Sequence, residues 1–203
     1  VPANRAWQQG LRTLYAYTRA LAPNKLIVQN DGVIYAPEVH GVLLENFPRQ
    51  GFARYLQNLR VIREQARDPA IPILNATTFN TGAREDWRAI RFGLSTALLT
   101  DSFYSFDFGD QDHGQTWWYD EYGVELGDPV GQAVGVLGEK NYTSGVWRRD
   151  FARGKFHRPF DDSNMFFVVQ GRRFAGGAGR HDTVHARPDL GFDQTCQGAF
   201  IQL

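Results

Sequence analysis

Four short apolar runs in this chain, KLIVQND, GVLLENF, IPILNATTF and SFYSFDFG, each close on a polar side chain. The runs are continuous, not alternating, so as strands they would be buried on both faces. That is the condition of a parallel sheet covered by helices. Amphipathic stretches separate most of the runs. Residues 6–21 place Trp7, Leu11, Leu14, Thr18 and Leu21 on one helical face, and 52–66 do the same with Phe52, Tyr55, Leu56, Leu59, Ile62 and Ala66. Arg84, Glu85 and Asp86 open a third helix, faced by Trp87, Ile90, Leu94, Ala97 and Leu98. Strands are expected at 26–29, 42–44, 71–74 and 103–106. Parallel strands joined by helices take right-handed crossovers, and four such units make half of a (βα)8 barrel. An open doubly wound sheet fits the same pattern.

In either architecture the chemistry gathers at the C-terminal ends of the strands. Those ends deliver Asn30, Asp31, Glu45, Asn75, Thr77 and Asp107. Glu45 is expected straight after a buried strand, with Leu43, Leu44, Phe47 and Pro48 as an apolar wall. Glycoside hydrolysis uses two carboxylates, one often a protonated acid held by such a wall. A Glu paired with an Arg is the structural alternative. Asp31 is the candidate partner carboxylate or an orienting group, or else an Asx turn before Gly32. Asn30, Asn75 and Thr77 suit sugar hydroxyls, and Asp107 either joins them or fixes the following loop. Trp117, Trp118 and Tyr119 stand together in a polar loop. Such a cluster supplies stacking platforms for sugar rings, with one ring expected to anchor the loop.

Lys plus Arg is 22 and Asp plus Glu is 22, so the net charge is zero. A neutral chain has no general attraction to nucleic acid or anionic membrane, and neither is expected as a partner. No run approaches the roughly 20 apolar residues of a membrane span. Cys196 is the single cysteine, which rules out an internal disulfide and a multi-thiolate zinc site. His113, His181 and His185 complete no metal motif, and no nucleotide fingerprint follows any strand. No metal or organic cofactor is expected. Val1 is not an initiator methionine, so the true N-terminus is expected to lie upstream.

The runs GVLLENFP, TWWYDEYGVELGDPVG and SGVWRRDFARG resemble a bacterial group of TIM-barrel proteins, the hypothetical glycosyl-hydrolase-like family fifteen, over roughly residues 6–154. The resemblance implies the C-terminal half of a (βα)8 TIM barrel with about four βα units, in residues 1–125. A junction and small β tail follow in 126–203. It also implies a glycosidase acting on an oligo- or polysaccharide, with Glu45 after the sixth strand as acid or nucleophile. The second catalytic carboxylate is expected in the preceding half of the barrel. A polysaccharide substrate would favour export to the periplasm or beyond. A carbohydrate-binding protein without turnover, or an inactive fragment, is the rival. Half a barrel leaves strand edges open, which favours self-association.

After Gly154 the sequence Lys155-Phe-His-Arg-Pro-Phe160 replaces the apolar strand with Asn-Pro usual in that group. The tail is read either as a diverged β domain or as the product of a shifted reading frame. Residues 142–151 read as a strand or hairpin arm, and beyond Gly154 strand-like patterning is confined to 165–169 and 199–203.

Overall fold

The computed structural model describes residues 2–135, 147–158, 166–169 and 172–175. The chain divides into two compact units, Val1–Asn75 and Ala76–Leu203. Its class is mixed α/β. Strands β1 (Val28–Asn30), β2 (Gly41–Phe47), β3 (Ile71–Thr77) and β4 (Phe103–Asp107) form a parallel four-stranded sheet in chain order, with β3 running across the division.

In the first unit, β1 and β2 pair with Val28 opposite Gly41 and Asn30 opposite Leu43. Val42 and Leu44 turn to the buried face. Tyr55, Leu59 and Ile62 of helix α2 (Phe52–Gln65) complete that core with Ala36 and Val39 from the 3-10 turn Val33–Glu38 and its exit. A Cβ at Gly41 would strike the Ile71 carbonyl, so only glycine lets the chain pass there.

Helix α1 (Pro2–Leu21) differs from the expectation. Its apolar stripe is not core: Trp7 is 69% exposed and Leu21 68%. The face turned inward carries Arg12, Tyr15 and Arg19. Arg12 pairs with the Glu38 carboxylate, Arg19 donates to the Glu38 carbonyl, and the Tyr15 hydroxyl bonds Gln29. Polar and charged partners on β1 and the 3-10 turn set the helix's rotation, and Trp7, Leu14 and Tyr17 are exposed.

In the second unit, α3 (Trp87–Thr100) starts at Asp86, whose side chain caps it by accepting from the Ala89 N–H at 3.0 Å. Asp86 lies before the first turn, and Arg84 and Glu85 precede it, one turn later than expected. Ile90, Leu94, Ala97 and Leu98 are buried. Tyr104 of β4 lies flat against the helix at Gly93 and donates to the Ile90 carbonyl at 3.0 Å. After the 3-10 turn Asp120–Gly123, strands β5 (Pro129–Gly135), β6 (Trp147–Phe151), β7 (Gly154–Arg158), β8 (Phe166–Val169) and β9 (Arg172–Ala175) form an antiparallel sheet in chain order. Residues 136–146, 176–179, His181, His185, Cys196 and the expected strand 199–203 lie outside the described residues. Among the described residues no helix is long and apolar enough to cross a membrane.

Two glycine substitutions should act oppositely. Gly93→Ala drives a methyl group into the Tyr104 ring, and overpacking of this kind costs about 1–3 kcal/mol. Gly10→Ala, in open space on α1, should stabilise by about 0.5–1 kcal/mol through helix propensity. Urea unfolding of both variants checks the signs.

Candidate functional site

In the first unit, Asn30 is the last residue of β1 and is exposed. Asp31 follows in the left-handed region at φ 51, its N–H still donating to the Leu43 carbonyl at 2.8 Å. The pairing therefore continues one bond beyond the strand and fixes the Asp31 backbone while its side chain stays exposed. Glu45 lies two residues past Leu43, on the same face by the two-residue strand period, and is half-buried. It sits inside β2 rather than after it, because the strand runs to Phe47. The break comes at Asn46, held at φ 57, followed by a cis Phe47–Pro48 bond.

Tyr55 on α2 was not singled out by the sequence reading beyond its place on an apolar helix face. It is 2% exposed, packs edge-on against Phe47 at 5.1 Å, and donates its hydroxyl to the Glu45 carbonyl at 2.6 Å. Burial pushes its pKa up; the Gln50 backbone N–H opposes that shift and the Asp31 charge adds to it. The Tyr55 hydroxyl thus binds the Glu45 backbone and feels the Asp31 carboxylate. The only signal in the sequence was that a buried tyrosine must find a hydroxyl partner. Asn75, the last residue of this unit, is buried on β3.

In the second unit, Thr77 ends β3 and is buried; its hydroxyl accepts from the Phe79 N–H at 3.0 Å. Phe79 and Asn80 follow at φ 52 and 65. Asp107 ends β4, buried, and its Oδ2 lies 2.8 Å from His113 Nδ1. The loop between them is closely tied. Asp112 N–H donates to the Gly109 carbonyl, Gly114 N–H to the Asp112 carboxylate, and Phe108 N–H to the Gln115 side chain. Asn80 Oδ1 accepts from the Gln111 N–H at 3.1 Å and sits where a Cβ at Gly109, φ 131, would have to go.

The three consecutive aromatics have separate surroundings. Tyr119 is buried, meets Trp87 edge-on at 5.6 Å and donates to the Arg84 carbonyl at 2.8 Å. Burial raises its pKa to about 12 despite the Arg84 charge. Trp117 is half-buried with its ring 6.0 Å from Phe106. Trp118 is 52% exposed and touches Tyr122 edge-on at 5.7 Å. Tyr122 is buried with a hydroxyl that has no hydrogen-bond partner among the described residues, and desolvation pushes its pKa far above the usual value.

Among the described residues no three His, Cys, Asp or Glu side chains gather to hold a metal ion. The sequence model of a family described as hypothetical glycosyl hydrolase family 15 matches residues 1–155. No curated protein matches the chain.

The tyrosine pair yields a test of opposite signs. Tyr122→Phe deletes an unsatisfied buried hydroxyl and should be neutral or stabilising, by up to about 1 kcal/mol. Tyr119→Phe deletes a made bond and should cost about 0.5–1.5 kcal/mol. Thermal and urea unfolding of the two variants would show it.

Proposed function

The chain belongs to hypothetical glycosyl hydrolase family 15, and from that premise we propose that it forms the C-terminal half of a (βα)8 barrel that hydrolyses a glycosidic bond in an oligo- or polysaccharide. About four βα units lie in residues 1–125, with a small β domain from 126. The observation that carries the reading is a half-buried carboxylate, Glu45, near the C-terminal end of a parallel strand. Active sites of such sheets lie at that end.

Glu45 is the proposed acid or nucleophile. Its chain neighbours Leu44 and Phe47 are buried, so the strand that carries it is anchored in the core. Asp31 is its proposed partner or orienting group. A second carboxylate from the preceding half of the barrel would complete the pair that glycoside hydrolysis requires. Asn30, Asn75, Thr77 and Asp107 are proposed to bond sugar hydroxyls, with Trp117 and the exposed Trp118 as stacking surfaces. The uncovered apolar side chains of α1, Trp7, Leu14 and Tyr17, support self-association of the 203-residue chain.

The decisive comparison is the full-length protein as wild type and Glu45→Gln, assayed for reducing-end release over a panel of polysaccharides. Loss of turnover by about 10²–10⁴-fold, the usual worth of an acid–base group, with sugar binding retained, supports the assignment. Equal release by both proteins removes Glu45 from the mechanism. Binding without release by wild type favours a carbohydrate-binding protein. For the isolated chain, Trp7→Glu with Leu14→Glu should lower the mass measured by light scattering.

A further inference from the structure

His113 is an exposed imidazole backed by a buried carboxylate. The Asp107 side chain is 10% exposed and that of His113 44%, with 2.8 Å between Oδ2 and Nδ1. An ionised carboxylate only accepts hydrogen bonds, so Nδ1 is the donor, and in the neutral ring the basic lone pair falls on Nε2. A carboxylate that fixes the tautomer and stabilises the imidazolium is the arrangement that turns a histidine into a directed proton carrier.

Other bonds hold the loop alongside the pair. Bonds within Phe108–Gln115 close it on itself, and Asn80 ties it to the exit of β3 through the Gln111 N–H and the Phe108 carbonyl. Thr78 adds its hydroxyl to that same carbonyl at 2.7 Å and its N–H to the Asp107 carbonyl at 2.9 Å. These bonds fix the loop that carries the imidazole at the C-terminal end of β4. Such preorganisation is what general catalysis requires of a base. Trp117, nine residues beyond Phe108, packs on Phe106 of the same strand.

We propose that His113, oriented by Asp107, is a proton-transfer residue acting on a carbohydrate substrate at the end of β4. The proposal rests on the glycosidase reading above. In the hydrolytic step His113 Nε2 accepts a proton from a water molecule as the water oxygen bonds to the anomeric carbon. The glycosidic C–O bond breaks, and its oxygen leaves with a proton from a carboxylic acid. The histidine returns its proton to that carboxylate through solvent, so one glycoside and one water become two hydroxyl-bearing products. Asp107 bonds the ring, and Asp110 and Asp112 lie in the same loop.

The test is full-length wild type against His113→Gln, with kcat and KM followed across pH on a substrate that wild type hydrolyses. Gln can still donate to Asp107 but cannot carry a proton. The expected result is a fall in kcat of about 10²–10⁴-fold with KM within a few-fold. The acid limb of the kcat profile that the histidine supplies should vanish, with the melting midpoint unchanged. Turnover and pH profile like wild type would overturn the proposal while leaving the glycosidase reading intact. No hydrolysis by wild type on any substrate would overturn both. Nitrogen-15 NMR of the wild-type ring provides an independent check that needs no variant. A proton on Nδ1 in the neutral ring supports the pair, and a ring protonated at Nε2 overturns it.

Discussion

A buried guanidinium ties a helix end to two strands in the second unit. Arg149 of β6 is 3% exposed; its Nη1 donates to the Leu98 carbonyl at 2.7 Å and lies 2.6 Å from the Asp101 carboxylate. Its Nε reaches the Gly131 carbonyl at 3.3 Å, and the group stacks over Phe151 at 5.6 Å. Helix α3, its C-cap at Asp101 and strands β5 and β6 therefore meet on one planar cation. The five donors of a guanidinium in a fixed fork suit this role where an ammonium would not. Truncating one partner of such a buried pair costs about 3–5 kcal/mol, because a charge is left behind without compensation. The antiparallel sheet depends on that contact for its place against α3.

The same physics runs through the segment before it. Glu121 pairs with Arg91 at 2.7 Å, and Arg91 lies over the Trp87 ring. Tyr119 bonds the backbone at Arg84, and the carbonyls of Leu126 and Asp128 accept from Arg153 and Ala152. These residues fix a loop to a helix or a turn to a hairpin. The described residues of the runs TWWYDEYGVELGDPVG and SGVWRRDFARG thus include several structural fastenings. Of the consecutive aromatics, Trp118 alone is more exposed than buried.

How much of this the sequence could disclose follows from what hydrophobicity measures. Apolar runs report burial, so the existence and order of β1 to β4, α2 and α3 were legible. Strand ends were not, since hydrogen-bond pairing continues past the last apolar residue. β2 runs through Glu45 to Phe47 and β3 through Asn75 to Thr77. Helix α1 inverts the lesson. Its periodicity was real, yet Arg12, Tyr15 and Arg19 face inward because Glu38 and Gln29 await them. A stripe of apolar side chains shows which face can be buried, not which face this chain buries.

The partners of two candidate residues, Glu45 and Asp107, escaped sequence reading for a different reason. Tyr55 stands ten residues from Glu45, and His113 six from Asp107. Neither separation is a motif, because what joins each pair is a turn whose shape depends on residues in unusual conformations. Asn46 at φ 57 ends the alternation of β2 and sends Phe47 to Tyr55. Gly109 at φ 131, pressed against Asn80, starts the loop that returns His113 to its carboxylate. Left-handed geometry is rare outside glycine and somewhat commoner for Asn and Asp, and here Asp31, Asn46, Phe79 and Asn80 all adopt it just after or near the end of a strand. Phe79 is the most telling, since an aromatic gains no local hydrogen bond from that conformation to offset its steric cost. Backbone strain concentrated at the C-terminal ends of parallel strands, in both units, is sustained by the surrounding bonds, and it is there that each polar side chain takes its fixed direction.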